Sequence, residues 1–358
     1  MASLSLKLIK KKDQASGTEA AKPPPRSFSS FFKKPRLASK GLTAIGISSD
    51  GLCLVHAVSD KHKPFVDVCD YRAYAGADDP SLLLGKLIQE HNLKKTHCST
   101  VLEPGTYSLH MVDAPNVEYG EMKAAIRWRI KELIDYEIED AVYDIFGIPG
   151  RSMRGQGGNM LYAVVARSSE IEKRVNQLRN IGVKLSVIDI PEIAMRNIAA
   201  LLPENEQGIA MLHLVHNSGL ITVTRQSTLY LARSIGIGIN RLRHFIEEEK
   251  KQEEEKGKEV TEFDSTTPFA NAVGNIMLEV QRSLDYYERH SSHPPINTLV
   301  ITPLRLEVPG FVEHVMANNL GLQVNILDLN SVIDCTTPMT DMLQTRCFFT
   351  IGAALRDG

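Results

Sequence analysis

Apolar positions along the chain alternate between a period near two and a period near three and a half. The clearest helical stretch is Leu278 to Glu288, LEVQRSLDYYE. Leu278, Gln281, Leu284 and Asp285 fall at spacings of three and four and share one side, while Ile276, Val280 and Tyr287 form a second apolar stripe beside it. The pattern predicts a helix from about Pro268 to His290, clasped on two sides by other elements. Pro294-Pro295 stops it, and Asn297 to Thr302 (NTLVIT) reads as a buried strand.

The same reading orders the rest of the chain. LTAIGIS and LCLVHAV flank the turn signal Ser49-Asp50-Gly51, and PFVDVCDYRAY supplies a third, alternating strand. A helix from Pro80 to His91 follows, with Leu82, Leu83, Leu87 and Ile88 inward and Asp78 and Asp79 at its start. Cys98 to Leu102 and Tyr107 to Val112 read as strands. Val117 to Ile134 reads as one periodic helix, and Gly147 to Gly158 as a flexible Gly-rich connection. Next come a strand at Met160 to Ala166, a helix at Ser168 to Ile181, a strand at Lys184 to Asp189, and a helix at Pro191 to Leu201 with proline in its first turn.

From Ile209 the opening pattern returns. IAMLHLV and LITVTR flank Asn217-Ser218-Gly219, TLYLARSI is a third strand, and a helix follows from Asn240 to Lys250. Three strands with a tight first turn and then a helix, used twice, is an internal duplication of topology. The charge run from Glu247 to Glu259 reads as a solvated helix end or loop. A helix at Pro309 to Leu320, a strand at Gln323 to Leu327 and a last helix at Leu343 to Leu355 complete an α/β chain.

A length of 358 residues suits two cores better than one. The expected division is a basic tail over 1–40, a first half over 41–205 with an inserted subdomain from about residue 116, and a second half over 206–358. Residues 1–40 hold ten Lys/Arg against two acids within a chain of net charge -2, so the remainder is about -10. An acidic body with a basic tail excludes an ordinary nucleic-acid-binding domain. The tail, with Pro23-Pro24-Pro25 and scattered Ser and Lys, reads as disordered. Its Leu4, Leu6, Leu8 and Ile9 precede Lys10-Lys11-Lys12, and Phe28, Phe31 and Phe32 precede Lys33-Lys34. Such pairings suit either contact with an anionic membrane surface or a solubilising extension. Five irregularly spaced cysteines argue for a reducing compartment and against a disulfide framework or zinc site. No apolar run is long enough to span a membrane, and no secretion signal is visible at the N-terminus. The single tryptophan, Trp128, reads as a core anchor.

Candidate chemistry is sparse. There is no Gly-x-Ser-x-Gly elbow, no His-Glu-x-x-His and no Gly-Lys-Ser/Thr ending to the Gly-rich segment. His213 and His216, three apart in a predicted strand, point to opposite faces and do not share a metal. Glu279, Arg282 and Asp285 form a potential ion-pair series along one helix. No catalytic residue and no metal ligand is expected.

The duplicated pattern resembles the actin-like ATPase architecture, and particular words resemble its type IV pilus assembly protein M branch, including MSHA-pilus biogenesis members. They are AAIRWRIKELID (Ala124 to Asp135), VIDIPEIA (Val187 to Ala194), LARSIGIG (Leu231 to Gly238), EVQRSLDYYE (Glu279 to Glu288) and TIGAALR (Thr350 to Arg356). The resemblance covers nearly all of 41–358.

It implies two actin-like halves around a cleft, with inserted subdomains. In nucleotide-binding members, Asp-x-Gly turns in each half hold magnesium and phosphates, and a Gly-Gly pair after a late strand receives adenosine. At those positions this chain carries Ser48 with Asp50 and Gly51, then His213 to Val215, then Thr302-Pro303-Leu304. Proline has no N–H to offer a ligand. The expectation is a degenerate cleft with no cofactor, ATP with magnesium being the group lost. The expected role is cytosolic, docked at the bacterial inner membrane. The implied partner is the short cytoplasmic N-terminal peptide of a bitopic inner-membrane pilus assembly protein. Arg127, Trp128 and Arg129, which open the inserted subdomain, are the candidate partner contacts. An active ATPase of the same fold and a polymerising, membrane-associated actin homologue are the alternative expectations.

Overall fold

The computed structural model describes residues 41–58, 63–75, 79–94, 96–152, 159–256, 267–304, 308–318 and 321–356. The basic tail 1–40 and residues 257–266, which include the end of the Glu-rich run, lie outside them.

The first sheet is built from β1 (Leu42–Ile47), β2 (Gly51–Val58), β3 (Phe65–Ala73), β4 (His97–Val101) and β8 (Lys184–Asp189), with the two-residue β14 (Asp334–Cys335) at one edge. The helix α1 (Pro80–Glu90) joins β3 to β4. The second sheet uses β9 (Ile209–Leu214), β10 (Gly219–Arg225), β11 (Thr228–Ile235), β12 (Thr298–Ile301) and β13 (Gln323–Ile326). Their orders are β14-β3-β2-β1-β4-β8 and β11-β10-β9-β12-β13. In each, the first hairpin and its neighbour are antiparallel and the last two strands join in parallel. The duplication expected from the turn signals is therefore present strand for strand.

A third sheet, β5-β7-β6, is formed by β5 (Tyr107–Asp113), β6 (Ala141–Ser152) and β7 (Asn159–Arg167). Of the stretch read as a Gly-rich connection, residues 147–152 are the end of β6, with Gly147 and Ser152 in register with β7, and 153–158 lie outside the described residues. Between β5 and β6 run α2 (Tyr119–Ala125) and α3 (Arg127–Leu133), which replace the single helix expected there. Ile126 marks the bend, yet its own N–H still reaches Met122, and that of Ile130 reaches Ile126. One face of β7 buries Leu161, Ala163 and Val165 against Ile126 and Ile130; the other turns Tyr162 and Val164 into the core of the second half. Both faces of β7 are apolar because both are covered.

Helices complete the halves: α4 (Ser168–Asn180), α5 (Pro191–Ala199), α6 (Ile239–Lys256), α7 (Pro268–His290), α8 (Phe311–Ala317), α9 (Leu329–Val332), α10 (Asp341–Arg346) and α11 (Phe348–Ala354). Proline at the first turn and Thr267 as N-cap, accepting from the Ala270 N–H, start α7 where the sequence predicts. Its rotation differs from the expectation. The stripe Val273, Ile276, Val280 and Tyr287 faces the core with Leu284, whereas Leu278 is 52% exposed. Two apolar stripes compete for one core, and the wider one wins. In α1 the same correction applies: Leu84, Leu87 and Ile88 are buried, and Leu82 is exposed. The expected last helix breaks at Cys347 into α10 and α11.

Two helices join the halves at the floor of the cleft. Gly352 of α11 lies against the backbone of Ala194 in α5, so closely that a Cβ would overlap the Ala194 carbonyl. The Asn197 side-chain amide donates to the Gly352 carbonyl at 2.8 Å. Beyond α11, Arg356 reaches the fully buried Asp189 at the end of β8 at 3.0 Å.

Candidate functional site

The cleft between the halves is where the duplicated hairpin turns meet. The first turn, between β1 and β2, is closed by the Ser48 N–H donating to the Gly51 carbonyl at 3.0 Å. The Ser48 hydroxyl donates to one carboxylate oxygen of Asp50 at 2.6 Å, and Arg346 reaches the other at 2.7 Å. His216, from the turn between β9 and β10, places its Nε2 at 3.7 Å from the same Asp50 oxygen and 3.4 Å from the Arg346 guanidinium. Burial pushes the Asp50 pKa up, but the Ser48 hydroxyl, Arg346 and His216 together outweigh it and hold the carboxyl below its usual value. Burial, reinforced by the Asp50 charge, pushes the Tyr71 phenol beside it up to about 12.

His213 is not in the cleft as a ligand. It is fully buried in β9, stacked on Phe348 with centroids 4.7 Å apart and tilted against Phe349 at 4.4 Å. Its Nδ1 shares a hydrogen bond of 2.8 Å with the Thr302 hydroxyl. Burial lowers its pKa to about 3, so the ring is neutral. His216, expected in the same strand, lies beyond the end of β9 in the turn, which is why it reaches Asp50.

The first two N–H groups of α6 are already used. Ile239 donates to the Val215 carbonyl and Asn240 to that of His216, both at 2.9 Å. Gly238 sits so tightly on Asn217 and Ser218 that only glycine fits. These two are among the donors a helix start could offer an anion, and the second turn has taken them.

At the third position, the Pro303 carbonyl oxygen lies 3.1 Å from the Thr345 hydroxyl. Thr345, Arg346, Phe348 and Phe349 thus touch all three expected nucleotide-loop positions from one segment around the break between α10 and α11. None of the four had a signal in the sequence: Arg346 and Asp50 are 296 positions apart. A cavity of about 260 Å³ beside the second turn is lined in part by Tyr107, Glu192, Ser218, Arg233 and Phe349. The Tyr107 phenol donates to the buried Glu192 carboxylate at 2.6 Å, and burial pushes both pKa values up. Among the described residues, no group of three His, Cys, Asp or Glu is arranged to hold a metal ion.

Trp128, expected as a core anchor, is 74% exposed on α3. Ile126 and Ile130 take the buried side of that helix pair, and Trp128 lies about 160° from Ile130 at ~100° per residue, so its ring faces solvent. Its neighbours are tethered rather than free: Arg127 pairs with Glu139 at 2.7 Å, and Arg129 donates to the Asp113 carbonyl at 2.9 Å. These three are consecutive on α3, remote in the chain from the turns, and the two arginines leave the helix in different directions, toward Glu139 and Asp113.

The family described as type IV pilus assembly protein PilM matches residues 106–357. The chain belongs to that family. A solved structure entitled PilM-PilN type IV pilus biogenesis complex is similar at 18% identity and a TM-score of 0.65, covering 88% of this chain and 98% of that one. The cytoplasmic domain of EpsL, an inner membrane component of the type II secretion system of Vibrio cholerae, is similar at 9% identity and a TM-score of 0.45, covering 89% and 97%. MreB5 of Spiroplasma citri bound to ADP gives 9% identity and 0.42, covering 87% and 94%. No curated protein matches. The PilM-family chain has the actin-like ATPase fold: two halves of matching topology around a cleft, with an inserted sheet. Among the described residues, no helix is long and apolar enough to cross a membrane.

Proposed function

We propose that this PilM-family protein is a cytoplasmic scaffold of a type IV pilus assembly platform, docked at the bacterial inner membrane, with a cleft that does not use ATP. The observation that carries the reading is the occupation of all three nucleotide-loop positions by Thr345, Arg346, Phe348 and Phe349. A phosphate group arriving there would have to displace Arg346 from Asp50 and would find the first two α6 N–H groups already paired. The partner is the cytoplasmic N-terminal peptide of a bitopic inner-membrane protein. Support comes from the similar solved structure, a PilM-PilN type IV pilus biogenesis complex. The exposed Trp128, flanked by Arg127 and Arg129, is the candidate contact, since large exposed aromatics beside arginine are the residue types that dominate interface energetics. The run QRSLDYY within α7 favours the MSHA-pilus branch, whose member MshI this chain resembles, and residues 1–40 supply contact with anionic lipid.

Isothermal titration with Mg-ATP tests the cleft: no binding heat is expected, and a micromolar dissociation constant, about -8 kcal/mol, overturns the reading in favour of an active ATPase. Pull-down of the purified chain by a bitopic partner's N-terminal peptide tests the scaffold role, with Trp128→Ala expected to lose it. Liposome sedimentation at low salt, with and without residues 1–40, tests the lipid contact; equal sedimentation leaves the tail a solubilising extension.

A further inference from the structure

We propose that the Asp50–Arg346–His216 cluster is an intramolecular clasp that holds the two halves together in place of a bound ligand. The inference rests on the geometry of the cleft and stands whether or not the pilus reading does. Asp50 belongs to the first half through the β1–β2 turn, and Arg346 joins it there, at 2.7 Å, from the end of α10. His216 belongs to the second half through the β9–β10 turn and meets both groups, at 3.7 and 3.4 Å. A negative charge at Asp50 is held in place by a hydroxyl and a guanidinium, and the opposite turn supplies the third side. In an actin-like cleft a bound ligand would lie between these two turns and touch both; here the chain's own side chains do so.

The other contacts across the cleft have the same source. Thr345 meets the Pro303 carbonyl and the Phe348–Phe349 pair encloses His213. These are packed or buried, whereas the clasp is reachable by water: the Asp50 and Arg346 side chains retain 34% and 26% of their exposure. Arg346 is therefore the part of the segment that solvent, salt or an incoming anion can reach, and the part whose release would let the second turn move. The charged groups facing His216 from the first turn and from α10 are Asp50 and Arg346.

Hydrogen exchange measured by mass spectrometry on the full chain tests this. In Arg346→Gln, peptides covering residues 46–53 and 213–220 are expected to exchange at least about tenfold faster, while peptides from β6 and β7 keep the wild-type rate. Asp50→Asn, which keeps the shape and removes the charge, is expected to do the same. The double exchange Asp50→Arg with Arg346→Asp is expected to restore slow exchange in the first turn. Raising sodium chloride in the wild type should move both turns in the direction of the variants, because partly exposed charges are screened. Wild-type exchange in both turns of both single variants overturns the clasp. So does a uniform increase over the whole chain, or a loss of the folded state in both variants, since either makes the cluster part of the global fold rather than a local tie.

Discussion

The His213 ring lies stacked on that of Phe348, 4.7 Å between centroids and 11° from parallel. A strand of the second half and a helix packed on the first half's sheet meet in that contact. A histidine at this depth is tolerated because its Nδ1 is paired with Thr302 and its ring carries no charge.

That placement makes stability depend on pH with a defined sign. The folded-state pKa of His213, about 3, is below the unfolded value of 6.5. Its contribution is complete above the unfolded value and is lost as pH falls from there toward the folded value. The loss amounts to something on the order of 4 kcal/mol by the bottom of the window. Denaturant melts between pH 7 and pH 4 should show stability falling with acid, and His213→Leu should flatten that slope. An unchanged slope in His213→Leu would mean that other groups carry it.

The helix α7 offers a paired test of its rotation. Leu284 is 3% exposed and Leu278 is 52% exposed. Leu284→Ala should cost ~2–5 kcal/mol, and Leu278→Ala should stay within about 0.5 kcal/mol. Arg282, whose side chain is 66% exposed and paired with Glu279, belongs with Leu278, and Arg282→Ala should also change little. Thermal melts that order these variants otherwise would refute the rotation described.

Gly352 should not accept a side chain. A Cβ there meets the Ala194 carbonyl of α5, which is backbone and cannot swing aside. Gly352→Ala should destabilise by ~1–3 kcal/mol and Gly352→Val by more, read as lowered melting temperatures. A Gly352→Ala variant as stable as wild type would show that α5 and α11 can part without loss.

The buried pair Arg356–Asp189 should be costly to break from one side. Arg356→Ala leaves Asp189, with no exposed surface, facing an emptied site, and should cost ~3–5 kcal/mol. The double change Arg356→Met with Asp189→Leu should recover part of that in urea titrations. If the double variant is worse than the single, the Asp189 contact to the Ile190 N–H at 2.9 Å is the more important of its two roles.

Local sequence determined which elements exist and how they repeat. The turn signals Ser49-Asp50-Gly51 and Asn217-Ser218-Gly219 mark the two first hairpins, and proline placement starts α1, α5 and α7 where they are found. These features depend on φ restriction and on periodicity, both of which act within a few residues. What the sequence left open was decided by contacts over long separations. Which stripe of α7 is buried depended on the sheet it met, and Leu278 lost to Ile276 and Val280. Trp128 points outward because Ile126 and Ile130 already fill the space against β7. Ser48, His213 and Pro303 could be singled out from the sequence, but the side chains that face them could not. Arg346 reaches Asp50 across 296 positions, and Phe348 reaches His213 only because α11 returns to pack on the first sheet and on α5. A sequence window carries the chemistry of each residue. The charge, ring or carbonyl that it will face is chosen when the two halves close on each other.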